Sequence, residues 1–306
     1  MAQIGGPGAD PVPIGEIVDP PFARLPEPER LFRTRAARFE ALAPGHQLGP
    51  YLTFLGRIAA LQDAVLPGLP EPELPPADAL ARSREFAMPA LDRTRLADEP
   101  ACRETLRRFF AGAATLEMPD AARATFDELA TAEDDMLAWM AKNVATDAIP
   151  AHEAAAHILV AAGLQVHAAR AASRLDPTSL VPVGDGVCPV CGGPPTSSLI
   201  VSWEHANGAR FCSCSLCATL WHYVRIRCTA CGSTKGISYQ ELEGGQDGAV
   251  KGECCRECRS FSKVMQQAKH PELDPVADDV ATLALDMLLK EDDFRRSGQN
   301  PFLLGY

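Results

Sequence analysis

The sequence predicts an α+β protein: an all-α N-terminal domain, then two tandem rubredoxin-like or zinc-ribbon four-cysteine modules, then a C-terminal helix. Three observations predict it. Apolar residues recur at helical spacing through the first half, ten of the eleven cysteines fall between positions 188 and 258, and an apolar stripe returns near the end.

Residues 1–28 are rich in Gly and Pro and read as a poorly ordered lead-in. From Glu29 to about Arg174 the pattern is helical. In ERLFRTRAARFEALA, Leu31, Phe32, Ala36, Phe39 and Leu42 share one side, and Tyr51–Val65 repeats the pattern with Leu52, Leu55, Ile58, Ala59 and Val65. Further helices are expected over 77–86, 99–112, 119–142 and 150–174, separated by Pro and Gly, for a domain of five to seven helices at 29–174. The segment LDPTSLVPVGDGV (175–187) reads as a linker. The first module is expected at 188–226 and the second at 227–270, with short β-like runs such as LIVSW and ISYQEL. In the C-terminal part, 271–306, Val276, Val280, Leu283, Met287 and Leu288 predict one amphipathic helix. Asp278 and Asp279 would favour the dipole of its first turn, and Arg295 and Arg296 lie near its end.

Composition excludes several function classes. No apolar run reaches the ~18 residues of a membrane span, and the opening MAQIGGPGADPVPIG lacks the basic and apolar regions of a secretory signal, so a cytoplasmic location is expected. The net charge of −11 argues against nucleic acid as a partner. From Cys188 to Lys269 there are nine Lys/Arg against six Asp/Glu, or +3. Two divalent ions, each in four thiolates, would bring that stretch to about −1.

The cysteines carry the chemistry. Four C-x-x-C pairs stand at Cys188/Cys191, Cys214/Cys217, Cys228/Cys231 and Cys255/Cys258, with 22 residues inside the first half and 23 inside the second. The second set repeats the first at offsets of 40 and 41, and both leading pairs run into glycine, CPVCG and CTACG. This is an internal duplication. Two cysteines three apart in a tight turn aim both sulfurs at one ion about 2.3 Å away, and Gly192 and Gly232 supply the left-handed turn residue. Sequential pairing lets each repeat close its own site, although an interleaved arrangement has the same composition. Four thiolates suit zinc or rubredoxin-type iron equally by geometry, and structural sites of this kind are usually zinc. A four-ligand shell leaves no position for substrate, so an accessory role is expected rather than catalysis.

Other residues carry less. Cys212 and Cys254 read as packing beside the trailing pairs, and Cys102 as a buried core thiol. His222 and Trp221 are expected to cover the first site and leave a strand edge for a partner. In HEAAAH the two histidines, His152 and His157, are five apart and lie on different helix faces, so the zinc-protease pattern is rejected.

CPVCGGPP, CSLCATLWHYVRIRCTACG, GECCRECRSFSKV and VADDVATLALDMLLKEDDFRRSGQNPFLLG together resemble the formate dehydrogenase accessory protein FdhE family. PPFARLPEPERLFRTRAARFEALAPGHQLGPYLTFL is similar to that family's start. The resemblance implies a cytoplasmic maturation factor that binds the molybdenum-containing catalytic subunit of respiratory formate dehydrogenase. It also implies two iron ions, held by Cys188, Cys191, Cys214 and Cys217, and by Cys228, Cys231, Cys255 and Cys258. Cys254, and FSK where a YLK-like run is usual, depart from the family pattern. The sequence leaves a homodimer open, and a rubredoxin-like electron carrier is the alternative function.

Overall fold

Helices α1 (Pro28–Leu42) and α2 (Gly49–Ala64) form the first hairpin, each with a proline in its opening turn, where the missing N–H costs nothing. The computed structural model describes residues 19–242 and 248–305. Phe32 and Phe39 of α1 are fully buried, each contributing roughly 1.5–3 kcal/mol by burial. Then come α3 (Ala77–Glu85), α4 (Arg93–Asp98), α5 (Pro100–Gly112), α6 (Asp120–Thr131), α7 (Asp134–Ala145) and α8 (Ala154–Ser173). Among the described residues the first half therefore has eight α-helices rather than five to seven. Alanine-rich α8 is the central rod, buried along most of its length.

The expected helix over 119–142 is two helices, and charge explains the break. Glu133, Asp134 and Asp135 favour a new N-terminus. Arg107 meanwhile donates to the freed carbonyls of Ala130 and Ala132 and pairs with Asp134.

The second half is built around one sheet among the described residues. Its strands are β1 (Ala23–Arg24), β2 (Pro195–Ile200), β3 (Arg210–Cys214), β4 (Leu220–Tyr223), β5 (Ile237–Gln240), β6 (Val250–Cys255), β7 (Ser260–Gln266) and β8 (Arg295–Arg296). The order is β1-β4-β3-β2-β7-β6-β5, with β8 beside β7. Each repeat supplies an antiparallel meander, β2-β3-β4 and β5-β6-β7, and the two join where β2 and β7 run parallel. The sheet curls so far that Arg210 on β3 meets Glu253 on β6 past both intervening strands.

Residues 1–18 of the lead-in lie outside the described residues, but its last part is ordered, because Ala23 and Arg24 pair with Trp221 and Leu220. The single C-terminal helix is instead α9 (Ala277–Ala281) and α10 (Leu283–Glu291). Lys263 of β7 causes the split by donating to the carbonyls of Asp279 and Thr282. Asp278 and Asp279 are not exposed dipole partners. Asp278 is buried against Arg38 at 2.6 Å, and Asp279 against Lys263, Arg296 and Asn300. These pairs clamp α1 and β7 onto the C-terminal helices.

The main core runs without a break from the helical half into the first repeat. Leu106, Phe109 and Leu164 belong to the same buried cluster as Cys188, Val190, Cys214 and Leu216.

Candidate metal centres

The eight paired cysteines gather as two groups, one per repeat. Cys188, Cys191, Cys214 and Cys217 place their sulfurs within 4.8 Å of one another, as do Cys228, Cys231, Cys255 and Cys258. Sulfur separations are 3.7 Å for Cys188–Cys217, 3.3 Å for Cys191–Cys214, 3.7 Å for Cys228–Cys258 and 3.8 Å for Cys231–Cys255. A tetrahedron with metal–sulfur bonds of ~2.3 Å has edges of ~3.8 Å, so the donor set fits one ion per group. The separations are far beyond the ~2.05 Å of a disulfide, and all eight thiols are free.

The turns that aim the sulfurs share their left-handed residues in both repeats. Gly192 and Gly232 adopt φ of 75° and 69°, and their N–H groups donate to the carbonyls of Cys188 and Cys228. The trailing pairs run into Ala218 and Arg259, also left-handed, at φ of 58° and 56°. Backbone N–H groups point at sulfur, from Leu216 to Cys214 and from Ala230 to Cys228.

Two residues were missed by reading the sequence. Thr219 Oγ1 lies 3.2 Å from Cys217 Sγ, and Ser260 Oγ lies 2.9 Å from Cys258 Sγ. A hydroxyl in this position donates to a thiolate and steadies it. The available signal was the repeated C-x-[S/T] after each trailing pair.

The two groups differ in exposure. All four cysteines of the first are buried and belong to the main core. In the second, Cys231 is exposed and Cys258 half-buried. Burial raises the Cys188 and Cys217 thiols. At Cys214, hydrogen bonds from the other three cysteines outweigh burial and lower its pKa. In the second group burial opposes ionisation of Cys258, but Ser260 and the neighbouring thiols outweigh it and hold Cys258 at about 7. Each group thus contains one trailing cysteine already disposed to be the thiolate.

The remaining candidates stand apart. Cys102 is a buried core thiol, pushed up to about 12 by burial. Cys212 and Cys254 are buried, with Ser198 Oγ and the Gly252 carbonyl as neighbours, and neither joins a metal group. His157 is buried between the Glu153 carbonyl and Asn143, while His152 is exposed. Trp221 and His222 do not leave an edge free, because β1 covers β4 and Phe22 accepts from the His222 N–H. Among the described residues no helix is long and apolar enough to cross a membrane.

Family models match in consecutive order along the chain: FdhE N-terminal at residues 20–185, the FdhE central domain at 187–225 and the FdhE C-terminal domain at 226–303. The chain is 48% identical over 298 residues to a Protein FdhE homolog of Rhizobium meliloti (strain 1021), covering 97% of each. It is 34% identical over 288 residues to a Protein FdhE homolog of Cronobacter sakazakii, covering 94% of this chain and 92% of that one. The crystal structure of the FdhE protein from Pseudomonas aeruginosa superposes with a TM-score of 0.82 at 33% identity, covering 93% of this chain and 99% of that one.

Proposed function

We propose, from the premise that this chain belongs to the FdhE family, that it is an accessory factor which binds the catalytic subunit of formate dehydrogenase during its maturation, with one iron ion in each four-cysteine group. The observation that carries this reading is the closed donor set: four sulfurs around each centre, with hydroxyl and N–H donors aimed at them. Such shells order the chain or pass single electrons, and they offer no vacant position for substrate. Iron bound to four thiolates would supply one-electron chemistry, and zinc would supply none. This chain's residues would orient the sulfurs, exclude water from the first group and leave the second reachable. The catalytic subunit is expected to co-purify with the full chain, and Cys214→Ala or Cys228→Ala is expected to abolish that association. Formate dehydrogenase activity that survives deletion of the protein overturns the proposal. Elemental analysis beside a visible spectrum identifies the metal and its count.

One observation favours a second reading. The exposure of Cys231 beside half-buried Cys258 suits electron exchange at the second group, as in a rubredoxin-like carrier that sets the redox state of the immature enzyme. A colourless protein carrying only zinc after anaerobic preparation in iron-rich medium excludes it.

A further inference from the structure

Strand β5 ends the sheet, and nothing pairs with its outer edge among the described residues. The ladder shows which groups face outward. Arg256 N donates to Gly236 O, and Ser238 and Gln240 lie opposite Cys254 and Gly252. Bonded and non-bonded pairs alternate in an antiparallel ladder, so Gly236, Ser238 and Gln240 aim their backbone groups at β6. Ile237 and Tyr239 aim theirs at the open side.

The first repeat shows what an edge in this position receives. Ser198 lies opposite Cys212 on β3, and 41 positions later Tyr239 lies opposite Glu253 on β6, so β2 and β5 are equivalent. The outer edge of β2 carries β7 as a parallel strand, with Ser198 beside Val264, Leu199 beside Met265 and Gln267 N donating to Ile200 O. A second copy has no free β4 to offer as the equivalent of β7, because β1 covers it.

Charge and apolar surface describe the occupant. Arg225, Lys235 and Arg256 cluster around β5, and none pairs with a carboxylate among the described residues, on a chain whose net charge is −11. Arg225 acts electrostatically on the Tyr239 hydroxyl, and Arg256 lies beside Gly236 together with the Glu257 carboxylate, which the three cations outnumber. Val224, Ile226 and Tyr239 are exposed at 52%, 54% and 44%. Ile237 sits opposite Cys255, so a strand laid on β5 begins beside the second cysteine group.

We propose that the open edge of β5 docks an extended acidic segment of the client polypeptide as a parallel strand across Tyr239, beside exposed Cys231 of the second group. This rests on the reading that the chain binds a client. Strand addition takes its affinity from main-chain hydrogen bonds and its specificity from flanking side chains.

The test uses the full chain, metal-loaded, with the catalytic subunit of formate dehydrogenase from the same source. With Tyr239→Phe as the control for the lost hydroxyl bond to Glu253, Tyr239→Pro removes an outward N–H while leaving the backbone bonds to β6 in place, a position where edge strands accept proline. It is expected to weaken binding about tenfold or more, and so is the surface double variant Arg225→Glu/Arg256→Glu, which does not touch the ladder. Hydrogen exchange at Tyr239 is expected to slow in the complex. Full binding by both variants, or protection confined to the helical half, overturns the docking site while the client reading stands. Failure of the unaltered chain to bind the subunit overturns both. Protection of β5 in the chain alone, with a doubled mass in solution, assigns the edge to a second copy and overturns the client segment.

Discussion

Arg210 and Glu253 form a fully buried salt bridge between the two repeats, with Nη2 2.9 Å from Oε1 and Nη1 3.1 Å from Oε2. Arg210 Nη1 also donates to the carbonyls of Arg225 and Arg227, and Tyr239 donates its hydroxyl to Glu253. Removing one partner strands a charge in the interior. Glu253→Ala is therefore expected to cost about 3–5 kcal/mol in urea unfolding. Adding Arg210→Met to it should recover part of that loss, giving a measurable coupling in a double-mutant cycle.

Metal should leave the two groups at different rates. The first is sealed in the main core, and the second exposes Cys231. A colorimetric chelator is expected to withdraw one equivalent quickly and the other only on the timescale of unfolding. Cys231→Ser should abolish the fast phase alone. A single phase releasing both equivalents would contradict the inequivalence.

Ser260→Ala and Thr219→Val remove the hydroxyl beside Cys258 and Cys217. Loss of such a supporting hydrogen bond typically lowers metal affinity about 10–100-fold. The effect should be plainer for Ser260→Ala, whose site is open to competition, when occupancy is read by elemental analysis after dialysis against chelator.

Gly186 holds the linker against the second module. Its φ is 61°, and a Cβ there would lie 2.0 Å from the Thr229 carbonyl oxygen, between Cys228 and Cys231. Backbone cannot yield as a side chain can. Gly186→Ala is expected to destabilise by more than about 1 kcal/mol, roughly the least that a misplaced Ala at positive φ costs, and to empty the second group first.

Asp92 caps α4 through the N–H groups of Thr94 and Arg95, and its pKa is lowered, first by the Thr94 hydroxyl. Asp92→Ala should cost about 1 kcal/mol at neutral pH. A depressed acid contributes stability above its unfolded pKa and loses it as pH falls through the folded value. The gap between variant and wild type should therefore narrow on acidification below about pH 4, followed by circular dichroism.

The cysteine groups were legible in the sequence because their geometry is local. A C-x-x-C turn carries its aim in four residues, and duplication indicates which pairs belong together. The helical half was legible as a class and less so in its breaks. What the sequence hid was set by distant partners. Lys263 divides the C-terminal helix from a strand, Arg107 receives the end of α6 from another helix, and β1 comes from a stretch that reads as lead-in. Asp278 and Asp279 show the same limit, since acidic residues near a helix start fit both a solvated first turn and a buried clamp. Only Arg38, Lys263 and Arg296 decide between them.

The two-residue strand Ala23–Arg24 has a consequence larger than its size. The repeats are tiles with matching rims, since the last strand of one fits the first strand of the other. β1 is the stop on that pattern. In a chain shortened to begin after Leu25, the rim at Leu220–Tyr223 stands bare. It then suits β5 of a neighbouring molecule, a head-to-tail contact that leaves a matching rim for the next molecule. Trimmed versions of this protein should string together end over end, with the fragment's sheet as the repeating unit.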